Sequence, residues 1–503
     1  MSRSESSAAS TDGRRIVYHS LLNFVGSGSP LLVAVFAIPL LIRGMGTDRF
    51  GVLTLVWVLI GYLSFLDLGV GRALTKLIAE RVNTPRRREV PVLVGTGLGM
   101  MFCFGVVGGV AIAALASWFV RGVLTIPEPL QDETIHAFLL LSVALPFVTL
   151  TTGLRGVLEA YHRFDLVNAL RVPMGVFTFA GPLLVLPFSH SLPMFVAVLL
   201  AGRVIACGAH WWLVWRVIPE LRTRFSMARR VVQPLLRFGG WMTVSNTVGP
   251  LMVYFDRFLI GALFSVSAVA YYSTPYEVVT KLWLIPGALL SVLFPMFSAG
   301  LRQHRPQMVA LFGHAILTVL LLVTPIALFL VTFGEAGLMV WVGEEFARNS
   351  TVVLQWLAVG VLINCLAHIP FTVVQSAGRP DLTAKLHLCE VPFYMAALWW
   401  LTLRYGIEGA AIAWVLRVAV DMLVLYGMAA RLLPGSGAWI RRLAPALPLA
   451  LLITASGAVL HSPAVKLVYV SVVTLSALML VWAVGARRPV FQPVAEAPQE
   501  AAS

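Results

Sequence analysis

Five charged side chains lie deep inside long apolar runs of this chain: Arg203, Glu277, Lys281, Arg417 and Asp421. Charge at such depth is expensive, roughly 2.5–3.5 kcal/mol on insertion scales, and it turns toward cavities or toward a partner. Glu277 and Lys281 stand four apart between Pro275 and Pro286, and Arg417 and Asp421 share that spacing. Each pair can therefore neutralise itself on one helix face. Two readings fit. Lys281, Arg203 and Arg417 could form a mid-depth cationic site, with Glu277 and Asp421 releasing the bound group or carrying a proton. Equally, two intrahelical pairs and an Arg tied to backbone carbonyls could serve packing alone.

Other carboxylates are more ambiguous. Asp67 precedes Gly69 and Gly71 near the end of an apolar run, so it could cap the helix leading to Glu80, pair with Arg72, or couple to an ion. Asp256 and Arg257 sit near an outer end, in an architectural or gating role, and Glu390 is a lone carboxylate and a coupling candidate. Tyr18, His19 and Asn23 are polar candidates for lining a cavity or bonding between helices. No catalytic residue and no metal site is expected: the histidines lack zinc-ligand spacing, and no Gly-Lys-Ser/Thr phosphate loop occurs. Gly95-Thr96-Gly97-Leu98-Gly99 imitates part of a dinucleotide fingerprint, but its apolar setting suits close helix packing. Trp211, Trp212, Trp215, Trp399 and Trp400 read as interfacial anchors, and the four cysteines as small packing residues.

These side chains need helices in a membrane to hold them. The mean hydropathy is +0.86, and 59% of residues are hydrophobic and 12% charged, where a soluble domain carries roughly 25% charged. Spanning helices need about 20 apolar residues, which predicts an all-α polytopic membrane protein of about fourteen transmembrane helices: 16–42, 50–70, 90–119, 135–154, 168–188, 192–216, 237–260, 268–298, 308–333, 350–375, 383–403, 408–430, 440–461 and 465–486. Most of the 37 Lys and Arg residues fall in alternate connections. Positive loops stay inside, which puts both termini in the cytoplasm. The net charge of +14 is then explained by those loops and by anionic membrane lipids, with no nucleic acid partner.

The basic connection 218–236 cuts the first twelve spans into six and six. The expected organisation is a cytoplasmic tail 1–15, an N-terminal six-helix lobe 16–217, the linker, a C-terminal six-helix lobe 237–431, two additional helices 432–486 and a disordered tail 487–503. A weak echo supports a parallel repeat: Val25-Gly26, Pro30-Leu31, Ile42-Arg43-Gly44 and Phe50-Gly51-Val52 against Val248-Gly249-Pro250-Leu251, Ile260-Gly261 and Ala270-Tyr271-Tyr272. Prolines 30, 39, 250, 275, 286 and 295 interrupt central spans, as hinges for rocking lobes or as static kinks.

Phe50-Gly51, Leu66-Asp67-Leu68-Gly69, Arg72-Ala73-Leu74-Thr75 and Ala79-Glu80 resemble the opening signature of bacterial polysaccharide-biosynthesis proteins, the lipid-linked oligosaccharide flippases. Asp256-Arg257-Phe258-Leu259-Ile260-Gly261 and Phe294-Pro295 resemble segments of their second half. The family shares a superfamily with multidrug antiporters and the peptidoglycan-precursor flippase. The resemblance implies two six-helix lobes around a central cavity lined by spans one, two, seven and eight. It further implies a non-enzymatic flippase moving an undecaprenyl-diphosphate-linked oligosaccharide to the outer leaflet of the bacterial inner membrane. The cationic site would then hold the diphosphate. No cofactor is expected, with coupling to H+ or Na+ left open, and polysaccharide polymerase and glycosyltransferases of the pathway are candidate partners. The alternatives are a cation-coupled multidrug antiporter and, in another class, a membrane glycosyltransferase or polymerase, which usually carries a large outer loop absent here.

Overall fold

The computed structural model describes residues 29–62, 67–82, 84–222, 226–301 and 303–487, without the side chains of 62, 222, 238–251 and 484–487. The N-terminal tail, Tyr18, His19, Asn23, Leu66, Arg224, Arg302 and the tail from Arg488 lie outside the described residues. The described residues form helices and no strands. Lipid leaves no water for backbone groups, so each segment must bond within itself. The helices are α1 (Ser29–Met45), α2 (Thr47–Tyr62), α3 (Val70–Val82), α4 (Val90–Trp118), α5 (Glu128–Ala160), α6 (Phe164–Val185), α7 (Leu192–Val217), α8 (Arg229–Leu263), α9 (Val266–Val279), α10 (Leu284–Gly300), α11 (Arg305–Trp341), α12 (Glu344–Ser376), α13 (Pro380–Leu432), α14 (Ser436–Leu443), α15 (Ala446–Ser456) and α16 (Pro463–Arg487).

Ten helices among the described residues are long and apolar enough to cross a membrane. Several of the fourteen expected segments map differently. The second is broken: α2 ends at Tyr62, and α3 starts only after Leu68 and Gly69, whose φ values are 49° and 70°. The eighth divides into α9, a 3-10 turn at Thr280–Trp283 and α10. The eleventh and twelfth are arms of α13, which turns at Gly406 (φ 63°). A Cβ at Gly409 would lie 2.0 Å from the Leu401 carbonyl oxygen, so only glycine lets the arms fold back this tightly.

The chain divides into two compact units, 1–270 and 271–503, with the boundary inside α9. In the first, α5 packs on α4, α7 and α3, and α8 packs on α3 and α4. Leu74, Ile78, Leu98, Met101, Leu154, Val157 and Leu235 form its core. Small residues permit close approach: a Cβ at Gly109 would meet the Ser142 carbonyl at 2.5 Å, and one at Gly51 would meet the Val266 carbonyl at 1.8 Å. In the second unit α11 and α12 form the centre, flanked by α10, α13, α15 and α16.

Prolines explain much of the polar packing in the second unit. A proline leaves the carbonyl four residues earlier without its helical donor. Pro275, Pro286 and Pro370 thereby free the carbonyls of Tyr271, Leu282 and Leu366. Ser350 donates to the first at 2.9 Å, the Cys365 thiol to the second at 3.9 Å, and the Tyr426 hydroxyl to the third at 3.4 Å. Ser350→Ala, which strips the donor from a fully buried site, is expected to lower stability by about 1 kcal/mol. Thermal unfolding of the purified protein in detergent measures it, and an unchanged midpoint would mean that the carbonyl is satisfied otherwise.

Candidate functional site

Within α13 the folded arms assemble the densest group of buried charge among the described residues. Glu390 and Arg417 would lie roughly 40 Å apart on a straight helix, yet Arg417 Nε stands 3.7 Å from Glu390 Oε2. His387 Nε2 stands 3.5 Å from Asp421 Oδ1. The Arg417 guanidinium also lies over the Tyr394 ring, 5.7 Å from its centroid. Ligand atoms of His387, Glu390 and Asp421 fall within 4.8 Å of one another. The Glu390 and Asp421 side chains are each 7% exposed, and both Glu390 oxygens, Asp421 Oδ1 and Arg417 Nε make no hydrogen bond.

Two carboxylates, one guanidinium and one imidazole are thus gathered in a site of low polarity. Charge held in such a setting is costly unless partners balance it. A cavity of about 410 Å³ is lined by Leu386, Phe393, Leu416 and Val420 from the two arms, together with Glu390 and Arg417.

Two expectations are corrected here. Arg417 and Asp421 do not neutralise each other: Arg417 is turned to Glu390 and Asp421 to His387. Glu390 is accordingly not a lone carboxylate. His387 was missed because the i,i+3 spacing to Glu390 carries no metal or coupling signature without Asp421 from the other arm.

Glu277 and Lys281 do form their pair, at 2.9 Å. Lys281 sits on the 3-10 turn between α9 and α10. The two side chains remain 45% and 36% exposed, in contrast to the α13 cluster. Exposed charge in the middle of an apolar segment must meet water or a polar ligand rather than hydrocarbon.

The remaining candidates lie in the first unit. Arg203 is part-buried in α7, and no acidic partner reaches it among the described residues; nor is it bonded to a carbonyl. Asp67 is a cap: its Oδ1 accepts from Gly69 N at 2.8 Å, ahead of α3, and Gly71 is needed because a Cβ there would lie 2.7 Å from Asp67 Oδ2. Asp256 and Arg257 were expected close to water at an outer end, but they are 0% and 1% exposed. They bond each other at 3.0 Å, and Arg257 also donates to the Val253 carbonyl at 2.7 Å, an architectural arrangement. Gly97 packs its bare face against Leu74, as close helix packing predicts.

The family model described as "Polysaccharide biosynthesis protein" matches residues 40–351. That stretch includes Asp67, Arg203, Asp256, Glu277 and Lys281 and ends before α13. A Shigella flexneri protein named "Putative O-antigen transporter" is 31% identical over 424 residues, covering 83% of this chain and 98% of that protein. Among solved structures, the lipid II flippase MurJ in an inward closed conformation aligns with a TM-score of 0.72 at 11% identity, covering 93% of this chain and 99% of that one. An inward-facing multidrug resistance MATE family transporter of the MOP superfamily aligns with a TM-score of 0.67 at 13% identity, covering 83% and 99%. At such identities the likeness shows the fold alone: an all-helical, multi-pass membrane transporter fold.

Proposed function

The chain belongs to the family of polysaccharide biosynthesis proteins, and from that premise we propose that it is a flippase for a lipid-linked oligosaccharide. The cargo in this reading is an undecaprenyl-diphosphate-linked glycan, carried from the inner to the outer leaflet of the bacterial inner membrane by alternating access of two six-helix lobes. Both termini face the cytoplasm. Glycosyltransferases supply the cargo on the inside and a polymerase consumes it outside.

The observation that carries the site assignment is the exposed Glu277–Lys281 pair on a helix break. Lys281 holds the diphosphate, and Glu277 competes for the ammonium and so helps release it. Arg203, cationic and without an acidic partner among the described residues, is a second diphosphate contact. The His387–Glu390–Asp421 group takes up H+ or Na+ and couples its gradient to transport, with Arg417 setting the charge balance. Asp67 and Asp256 hold the helices that carry this machinery.

Deleting the gene in its host tests the reading. Surface glycan is expected to fall to background while the lipid-linked precursor builds up on the inner leaflet, and resupply of the chain is expected to restore both. Unchanged surface glycan together with altered drug susceptibility would move the assignment to a multidrug antiporter. Normal precursor export with shortened polymer would move it to a polymerase.

A further inference from the structure

The chain after α13 runs alongside α11 in a register that two close approaches fix. A Cβ at Gly435 would lie 3.5 Å from Val309, and one at Gly313 would lie 2.1 Å from the Trp439 ring. Farther on, a Cβ at Gly457 would lie 2.2 Å from Thr332 Oγ1. The two segments are therefore parallel, and Arg441 and Arg442 stand level with Ala315 and Ile316. α11 carries no Asp, Glu, Lys or Arg between Arg305 and Glu335, and the roughly 20 residues after His314 span about 30 Å, the thickness of the hydrocarbon core. Arg441 and Arg442 thus mark the edge of that core. Trp439, seated in the Gly313 notch and 5.3 Å from His314, holds α14 at this level.

Arg431 ends α13 just before Gly435, and Arg305 begins α11 one turn before Val309. Arg305, Arg431, Arg441 and Arg442 are all exposed, and none has an acidic partner among the described residues. No Asp or Glu occurs between Asp421 and Glu496, nor between Glu277 and Glu335. Elsewhere in the unit the pattern differs: Arg379 and Lys385 both pair with Asp381, and Arg348 pairs with Glu344.

We propose that this corner of α11, α13 and α14 binds the phosphodiester headgroup of an anionic phospholipid, with Arg441 and Arg442 as the principal contacts. Guanidinium forks match phosphate oxygens, and a cluster of arginines at the membrane edge attracts anionic lipid. The acyl chains lie along the apolar face of α15 nearest these arginines, where Leu449 and Leu452 are exposed. The proposal does not depend on the transport reading or on which side of the membrane this end faces.

Native mass spectrometry of the full chain, extracted in detergent with added phosphatidylglycerol or phosphatidylcholine, tests it. Each arginine near an anionic surface changes binding roughly fivefold, so Arg441→Gln with Arg442→Gln is expected to reduce phosphatidylglycerol retention by at least about tenfold. Arg441→Lys with Arg442→Lys keeps most of it. Should the Gln variant not fold, wild-type retention serves instead: it is expected to fall as salt rises from about 0.1 to 1 M, where the Debye length shrinks from about 10 to 3 Å. Equal retention of the two lipids by the wild type, salt-independent retention, or equal retention by the Gln variant overturns the site. Complete displacement by inorganic phosphate overturns the lipid as its occupant.

Discussion

Glu277→Gln together with Lys281→Met is expected to leave the protein inserted and folded while glycan export drops at least about tenfold. The stability half follows from exposure. The pair is 45% and 36% exposed, and ion pairs this open contribute roughly 0–1 kcal/mol, so removing both charges at similar volume changes little. The transport half follows from the proposed contact between Lys281 and the diphosphate. Hydrogen bonds to charged groups contribute roughly 1.5–3 kcal/mol, which is about ten- to a hundredfold when lost. The double variant is more informative than Lys281→Ala, which would also leave Glu277 without its cation. Surface glycan and inner-leaflet precursor are measured together with protein abundance in the membrane. Normal export by an abundant double variant would remove this pair from the mechanism.

Arg417→Met alone is expected to destabilise the protein by about 3–5 kcal/mol, because it leaves Glu390 and Asp421 buried with no cation but a half-buried histidine. Arg417→Met combined with Glu390→Gln is expected to recover most of that loss, since buried ion pairs are often replaced by uncharged groups of similar volume at little cost. The contrast separates two contributions. A large drop in the single variant with recovery in the double shows that charge balance in the arms, rather than the packing of Arg417 on Tyr394, holds them. Equal drops would assign the effect to packing. Thermal unfolding in detergent supplies the comparison. Export by the double variant then reports on coupling: with Glu390 uncharged, it is expected to lose its response to collapse of the H+ or Na+ gradient.

The extent to which these sites were legible follows the range of the interactions. Spans of about 20 apolar residues, the Glu277–Lys281 pair and the Asp67 cap were all readable, because each depends on residues within one or two helical turns. A hydrophobic run, an i,i+4 spacing and an Asp three residues before a helix start act through local geometry. The same local rule failed for Arg417 and Asp421. Their spacing matches that of Glu277 and Lys281, but Gly406 reverses the chain and brings Glu390 and His387 alongside them, so each charge turns to a closer partner on the other arm. Periodicity says which face of a helix a residue shares; it does not say which helix meets that face, or how it is rotated. Burial of Asp256 and Arg257, the donors on the proline-freed carbonyls, and the level of Arg441 and Arg442 against α11 all required that second kind of information. The amino-acid order by itself determined that this is a helical membrane protein with charge at mid-depth. Tertiary packing decided which charges stay exposed and which close on one another, because contact between helices depends on their relative rotation and depth, and no short spacing in the chain encodes either.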